Sequence, residues 1–291
     1  MFLPTDDTNA STAFYATYTI TLKSGHTVMP SLVLGFDEMD YYICTQAQGW
    51  TDLHVGAVNS SLTQFNLYQS LSNQTNLVRT SVNYLVIHNE LLITKRILTF
   101  NYQRVPSLSA INNNSLTVTY PLSVSIPHLN YRILISATRF KFYRNNDLAR
   151  SLVFSLTRIS FNLTTIDLLM SCSYMYMDIW SVYLVFIDRY YDNTPMEILE
   201  LNRFSDSSIT TTVARFNFSH IIANKVKPNT FFIGLSYFKT LGSHFQYKTS
   251  HNSMTDSLDA LISIVGTDLF YAGLSFYGYK CNPPFYLSAI I

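Results

Sequence analysis

A predominantly β fold, α+β in class, with an antiparallel sandwich or barrel-like core and a few short helices, follows from three features of the sequence. Apolar residues alternate with polar ones in several segments, the period of a half-buried strand. Other segments are unbroken apolar runs of strand length, as expected for strands buried on both faces. Helix signatures are confined to a few short stretches.

Residues 1–12, with the polar run Pro4 to Ser11, read as a flexible N-terminal arm. Residues 13–291 read as a β-rich body, one large domain or two closely coupled ones. In the first strand Phe14, Ala16, Tyr18, Ile20 and Leu22 line one face and Thr17, Thr19 and Thr21 the other. Ser81 to Phe100 is compatible with either type, because Leu85, His88, Leu92 and Arg96 also fit helical spacing. Leu122, Val124 and Ile126 alternate with Ser123 and Ser125 and predict a strand. So do Leu134, Ser136, Thr138, Phe140 and Phe142 against Ile133, Ile135 and Ala137.

A helix is predicted to start at Asn146. Leu168 to Ile187 has the length of a membrane span, but Asp178 in its middle and three serines favour a buried strand pair. Ile179 to Ile187 and Thr230 to Phe238 are expected to be central strands, and Ala214, Phe216, Phe218 and His220 alternate. Thr194, Pro195 and Glu197 form a capping box with proline at the first helical position, predicting a helix over Pro195 to Arg203. Another is expected from Asp256 to just before Gly266, with Leu258, Leu261, Ile262 and Val265 inward. Only 9 glycines occur. Turns must therefore rest on Asn, Asp, Ser and Pro, as in Asn112 to Ser115 or Arg144 to Asp147.

Charged residues make up 13% of the 291, against about 25% in an ordinary domain. Tyr and Phe number 21 and 20. A free monomer keeps its surface charged and its apolar patches small, so much of this surface is expected to be covered by other subunits. Net charge is +1, which gives no field to gather nucleic acid. Cys44, Cys172 and Cys281 form no close pair and do not suggest an extracellular disulfide framework. Met1 to Thr12 lacks the pattern of a signal peptide, so synthesis in the cytosol is expected. On that route the acceptor sequences at Asn9, Asn59, Asn73, Asn113, Asn162 and Asn217 would stay unglycosylated.

Catalytic motifs are fragmentary. His88, Asn89 and Glu90 give half of a zinc-deaminase signature, and Cys281 lacks the second cysteine of the other half. Gly273, Leu274 and Ser275 begin a nucleophile elbow that Tyr277 breaks. The histidines, including His26, His54, His128, His220, His244 and His251, are dispersed. Arg139, Lys141, Arg144 and Arg150 could meet an acidic partner but fit a solvated face better. Tyr41 and Tyr42, Tyr174 and Tyr176, Tyr190 and Tyr191, and Phe276, Tyr277 and Tyr279 could be sugar platforms; cross-strand packing is the simpler reading. No catalytic, cofactor-binding or metal-ligating residue is assigned, and the chain is expected not to be an enzyme.

The final residues, Phe285 to Ile291, are almost wholly apolar, unlike an ordinary frayed terminus. They suggest either a docked strand or the N-terminal product of a longer precursor. In length, composition and this abrupt apolar end the chain resembles the large protrusion, or clamp, proteins of cypoviruses, in the turreted branch of the reovirus family. That resemblance implies a virion protein, assembled in the host cytoplasm. It would sit on the outer face of a thin inner shell and join neighbouring shell subunits. Its partners would be the capsid shell protein and other virion subunits, with no direct nucleic acid, membrane, cofactor or small-molecule substrate. The alternative is a carbohydrate- or receptor-binding β-sandwich, such as a viral spike.

Overall fold

In a computed structural model of the protein, the described residues are 3–5, 13–22, 31–43, 49–71, 75–87, 92–102, 114–144, 152–173, 175–188, 196–205, 212–217, 230–240, 244–253, 258–265 and 269–279. They form three sheets, and every ladder among them is antiparallel. The seven-stranded sheet contains β1 (Leu3–Thr5), β2 (Ala13–Thr21), β4 (Gly49–Ser61), β5 (Gln64–Leu71), β7 (Ile97–Tyr102), β9 (Tyr131–Arg144) and β12 (Met175–Asp188). Their spatial order is β1-β2-β5-β4-β9-β12-β7.

The six-stranded sheet contains β8 (Asn114–Pro121), β10 (Leu152–Phe161), β11 (Thr165–Ser173), β13 (Met196–Ser205), β15 (Thr230–Thr240) and β18 (Leu269–Tyr279), in the order β13-β18-β15-β10-β11-β8. The five-stranded sheet contains β3 (Ser31–Ile43), β6 (Thr75–Ile87), β14 (Thr212–Asn217), β16 (His244–Ser253) and β17 (Leu258–Val265), in the order β14-β17-β16-β3-β6. The predominantly β class read from the sequence is what the described residues adopt. The polar segment expected as an arm contributes β1, which pairs with β2.

Two expected helices are strands. Met196–Ser205 pairs with β18 despite the capping box before it, and Leu258–Val265 is hydrogen-bonded on both sides, to β14 and β16. In each case ladder formation outweighs a local helix preference of a few tenths of a kcal/mol per residue. The helix expected at Asn146 falls outside the described residues. The ambiguous Ser81 to Phe100 divides into the end of β6, a helical turn at Leu92 and Ile93, and the start of β7.

Leu122 to Ile126 is not a strand. It follows Pro121 as an extended loop whose Leu122 and Ile126 N–H groups donate to the Thr164 and Leu163 carbonyls at 2.7 and 2.9 Å. The apolar segment Leu168 to Ile187 does yield two strands, β11 and β12. They belong to different sheets and do not pair with each other. No helix among the described residues is long and apolar enough to cross a bilayer.

Residues 181–188 of β12 are buried on both faces, as the apolar run there requires, and 131–140 of β9 are buried too, apart from half-buried Arg132 and Arg139, although polar residues interrupt that strand. On β12, Tyr183, Val185 and Ile187 join a core with Leu32 and Leu34 of β3 and Leu85 of β6. Phe186, facing the other way, meets Phe100, Phe161 and Tyr131 at ring distances of 5.2, 5.8 and 6.2 Å. Each such fully buried side chain contributes roughly 1.5–3 kcal/mol. β2 buries Ile20, whereas Tyr18 on the same side is 41% exposed. Its apolar face is thus narrower than the alternation from Phe14 to Leu22 suggests.

Glycine scarcity has the expected outcome in the two described hairpin turns. At Leu62 and Thr63 the Ser61 hydroxyl accepts the Thr63 N–H at 3.2 Å. Between β10 and β11, Asn162 Oδ1 accepts the Thr164 and Thr165 N–H groups, both at 2.8 Å. These side chains supply the acceptors that hold a tight turn without glycine.

Candidate functional site: an apolar end built from three turns

Three connections meet at one end of the sheets: residues 92–96, the loop 122–130, and the β10–β11 turn at 162–164. The first is fixed by the Lys95 N–H donating to Leu92 O at 3.0 Å and by the Tyr131 hydroxyl donating to Lys95 O at 2.7 Å. Lys95 adopts φ 54, a left-handed conformation costing a side-chain-bearing residue roughly 1–2 kcal/mol. Its ammonium reaches the Ser125 carbonyl at 3.5 Å. The second connection is tied to the third by the two backbone bonds from Leu122 and Ile126. Buried Leu122 and Ile126 anchor it.

The second connection also carries a His–Asp pair. His128 Nε2 lies 3.1 Å from Asp188 Oδ2, and Asp188 is buried at the end of β12. The Asp188 N–H donates to Arg96 O at 2.9 Å, which brings the first connection to the same point. The Asn130 N–H donates to His128 Nδ1 at 3.3 Å. Nε2 is therefore the nitrogen that carries a hydrogen toward Asp188. The Tyr131 ring stacks on the imidazole at 4.9 Å. With one nitrogen accepting a backbone N–H and the other facing a carboxylate, this histidine has no lone pair directed at a substrate. The arrangement is a latch between loop and sheet, a role that the dispersed spacing of the histidines in the sequence does not reveal.

Beside exposed Thr94, Lys95, Ser123, Ser125, Asn162 and Thr164, the latched turns present four large apolar side chains outward. Ile93 is 73% exposed, Leu129 57%, Leu163 45% and Val124 44%. Singly exposed apolar side chains are common. Four on three turns, linked by the Leu122 and Ile126 backbone bonds and by the Lys95 side chain, offer apolar contacts of the kind that another protein covers. Nothing in the sequence marks these residues as a group, because the turns that carry them are separated by roughly thirty or more positions.

A second, polar cluster lies on the exposed face of the six-stranded sheet. Thr119 Oγ1 donates to Asp167 Oδ1 at 2.6 Å, and the Ser160 hydroxyl donates to Asp167 Oδ2. The Ser160 bond first, then the Thr119 bond, lowers the Asp167 carboxyl below its ordinary value. Both carboxylate oxygens already accept protein hydroxyls, so the cluster functions as a cross-strand tie.

The other residues weighed in the sequence do not converge on a site. His54 packs edge-on to Tyr68 at 5.1 Å. His244 and His251 lie on β16, Gly273 to Ser275 lie within β18 where no strand-to-helix elbow exists, and Arg139, Lys141 and Arg144 lie on β9. Tyr41 and Tyr42 are on β3, Tyr176 on β12, and Phe276, Tyr277 and Tyr279 on β18. His26, His88 to Glu90, Arg150, Tyr174, Tyr190, Tyr191, His220 and Cys281 fall outside the described residues. Among the described residues no three His, Cys, Asp or Glu side chains gather as metal ligands do. Comparison of the chain with protein-family models, with curated proteins and with solved structures gave no match.

Proposed function

We propose that this chain is a structural subunit of a virus particle, seated on the outer face of a thin shell and joining neighbouring shell subunits. The observation that carries the reading is the apolar end formed by Ile93, Val124, Leu129 and Leu163 on a chain whose charged fraction is only 13%. A protein that works alone in water disfavours such a surface. A subunit covered by neighbours gains from it, since the fully buried centres of interfaces are depleted in charge and enriched in aromatic residues. The near-neutral charge balance suits a position away from the genome. The likeness in length and composition to the clamp proteins of cypoviruses points the same way.

The test is incorporation. Ile93→Asp and Leu129→Asp change exposed positions and should leave the far-ultraviolet circular dichroism and melting temperature of the isolated chain intact. They should strip the chain from particles on co-sedimentation with its shell. Undiminished incorporation of the double variant would refute the assignment of this end. A folded monomer that binds glycans and never assembles would refute the function itself.

A further inference from the structure

Open sheets expose strand edges, and natural proteins guard them with charge, proline, shortness or cover. Among the described residues, five of the six terminal strands are guarded in one of these ways. β1 is three residues long and contains Pro4. β13 carries Glu197, Glu200 and Arg203, β14 carries Arg215 and β6 carries Arg79. β7 has no charged side chain, but Ile97, Leu98 and Phe100 are sunk in the core.

β8 is the exception. Its sequence from Asn114 to Pro121 contains no charged residue, and its one ladder partner among the described residues is β11. Among the described residues its end is capped, by the Tyr102 hydroxyl donating to Pro121 O at 2.9 Å and the Tyr102 ring lying 4.4 Å from that of Tyr120. Ser115, Thr117 and Thr119 are exposed on one face, and Leu116 and Val118 are half-buried on the other.

This pattern is self-complementary about Thr117. In an antiparallel two-fold pairing Thr117 would oppose Thr117 of the partner subunit. Leu116 would oppose Val118 of the partner subunit, and Ser115 would oppose Thr119 of the partner subunit. One face of the new ladder would be hydroxyl throughout and the other apolar throughout, with no charge opposite a like charge. A slip of one residue would set apolar against hydroxyl side chains, and of the matched registers the one about Thr117 pairs the most residues while keeping Tyr120, packed on Tyr102, out of the ladder.

We propose that β8 is a self-pairing edge through which two copies of this chain join antiparallel at Ser115 to Thr119, fusing two six-stranded sheets into one. The reading is independent of the particle assignment and would stand if the chain had no part in a shell. A five-residue ladder buries far less than the ~1,200–2,000 Å² of a stable complex. The free chain should therefore dimerise weakly, and dimerise further where other contacts hold copies at high local concentration.

The test is sedimentation equilibrium of the full chain up to about millimolar concentration. The wild type should rise toward dimer mass. Thr117→Lys and Thr117→Glu should each remain monomeric, because each places like charges across the two-fold axis, and an equimolar mixture of the two should dimerise again. Thr117→Cys should oxidise to a covalent dimer. Ser115→Cys should not, because the two Ser115 positions lie too far apart for a disulfide; the unsubstituted chain controls for the three native cysteines. Association that ignores the charge at position 117, a mixture that stays monomeric, or equal crosslinking at 115 and 117 would each overturn the proposal. Pairing with only a chain of different sequence would overturn it too.

Discussion

Ser136 Oγ on β9 donates a 2.8 Å hydrogen bond to the Leu34 carbonyl on β3, joining the seven-stranded and five-stranded sheets inside the core. Both groups are fully buried, and a buried carbonyl deprived of its donor costs roughly 1–3 kcal/mol. Ser136→Ala should therefore lower the unfolding free energy in urea by about that amount. A loss within the ~0.5 kcal/mol typical of surface changes would show that the bond contributes little.

The six-stranded sheet approaches β9 at the neighbouring position. A Cβ placed on Gly234 of β15 would lie 2.5 Å from the Ile135 carbonyl oxygen and 3.1 Å from Ser136 Cβ. The obstruction is backbone, which cannot rotate away. Gly234→Ala should consequently lower the melting temperature more than Gly56→Ala, whose added Cβ meets only the Tyr68 ring. Equal shifts would mean that β15 can slide away from β9 at little cost.

Tyr183 is buried among Leu134, Val185 and Ile187. Burial pushes its phenol up to about 12, and the nearby Tyr68 phenol adds to the rise. An unfolded tyrosine titrates near 10, so the native state favours the neutral phenol. The resulting stabilisation is complete below pH 10 and is lost as pH rises from 10 through 12. Tyr183→Phe should melt like the wild type at pH 7 and show a shallower fall in stability between pH 10 and 12. An unchanged alkaline slope would contradict this placement of the phenol.

On β2 the buried and exposed positions are separated by one residue. Ile20→Asp puts a charge into the core beside Phe65 and Leu67 and should cost several kcal/mol. Thr19→Asp should cost far less, and so should Tyr18→Asp, because both side chains are exposed. Chemical denaturation of the three variants checks the order. A loss at Tyr18 as large as at Ile20 would restore the wider apolar face suggested by the sequence.

The strands that could be read in advance are those whose side-chain pattern is set by their own burial. β2 alternates because one face is wet at Thr19, and β12 is continuously apolar because Val182 to Ile187 are enclosed on both sides. What could not be read is long-range choice. β11 and β12 are separated by a single residue, yet they enter different sheets. Leu258 to Val265 places apolar residues at both helical and strand spacings, and only its two neighbours, β14 and β16, decide between them. Leu122 to Ile126 alternates like a strand but spends its N–H groups on a turn rather than on a ladder. The apolar end is not legible for the same reason, since the turns that carry Ile93, Val124 and Leu163 are linked only in the fold.

The particle assignment is tested most directly by the native state of the chain in the cells that make it. Size fractionation under native conditions, followed by mass measurement and electron microscopy of the fraction that holds the chain, reads that state. The expected result is a fraction of uniform particles in which the chain is a stoichiometric surface component held by interfaces well above ~1,000 Å². Recovery of the chain as a free, folded 33.3 kDa monomer, with no particle in any fraction, would contradict the account.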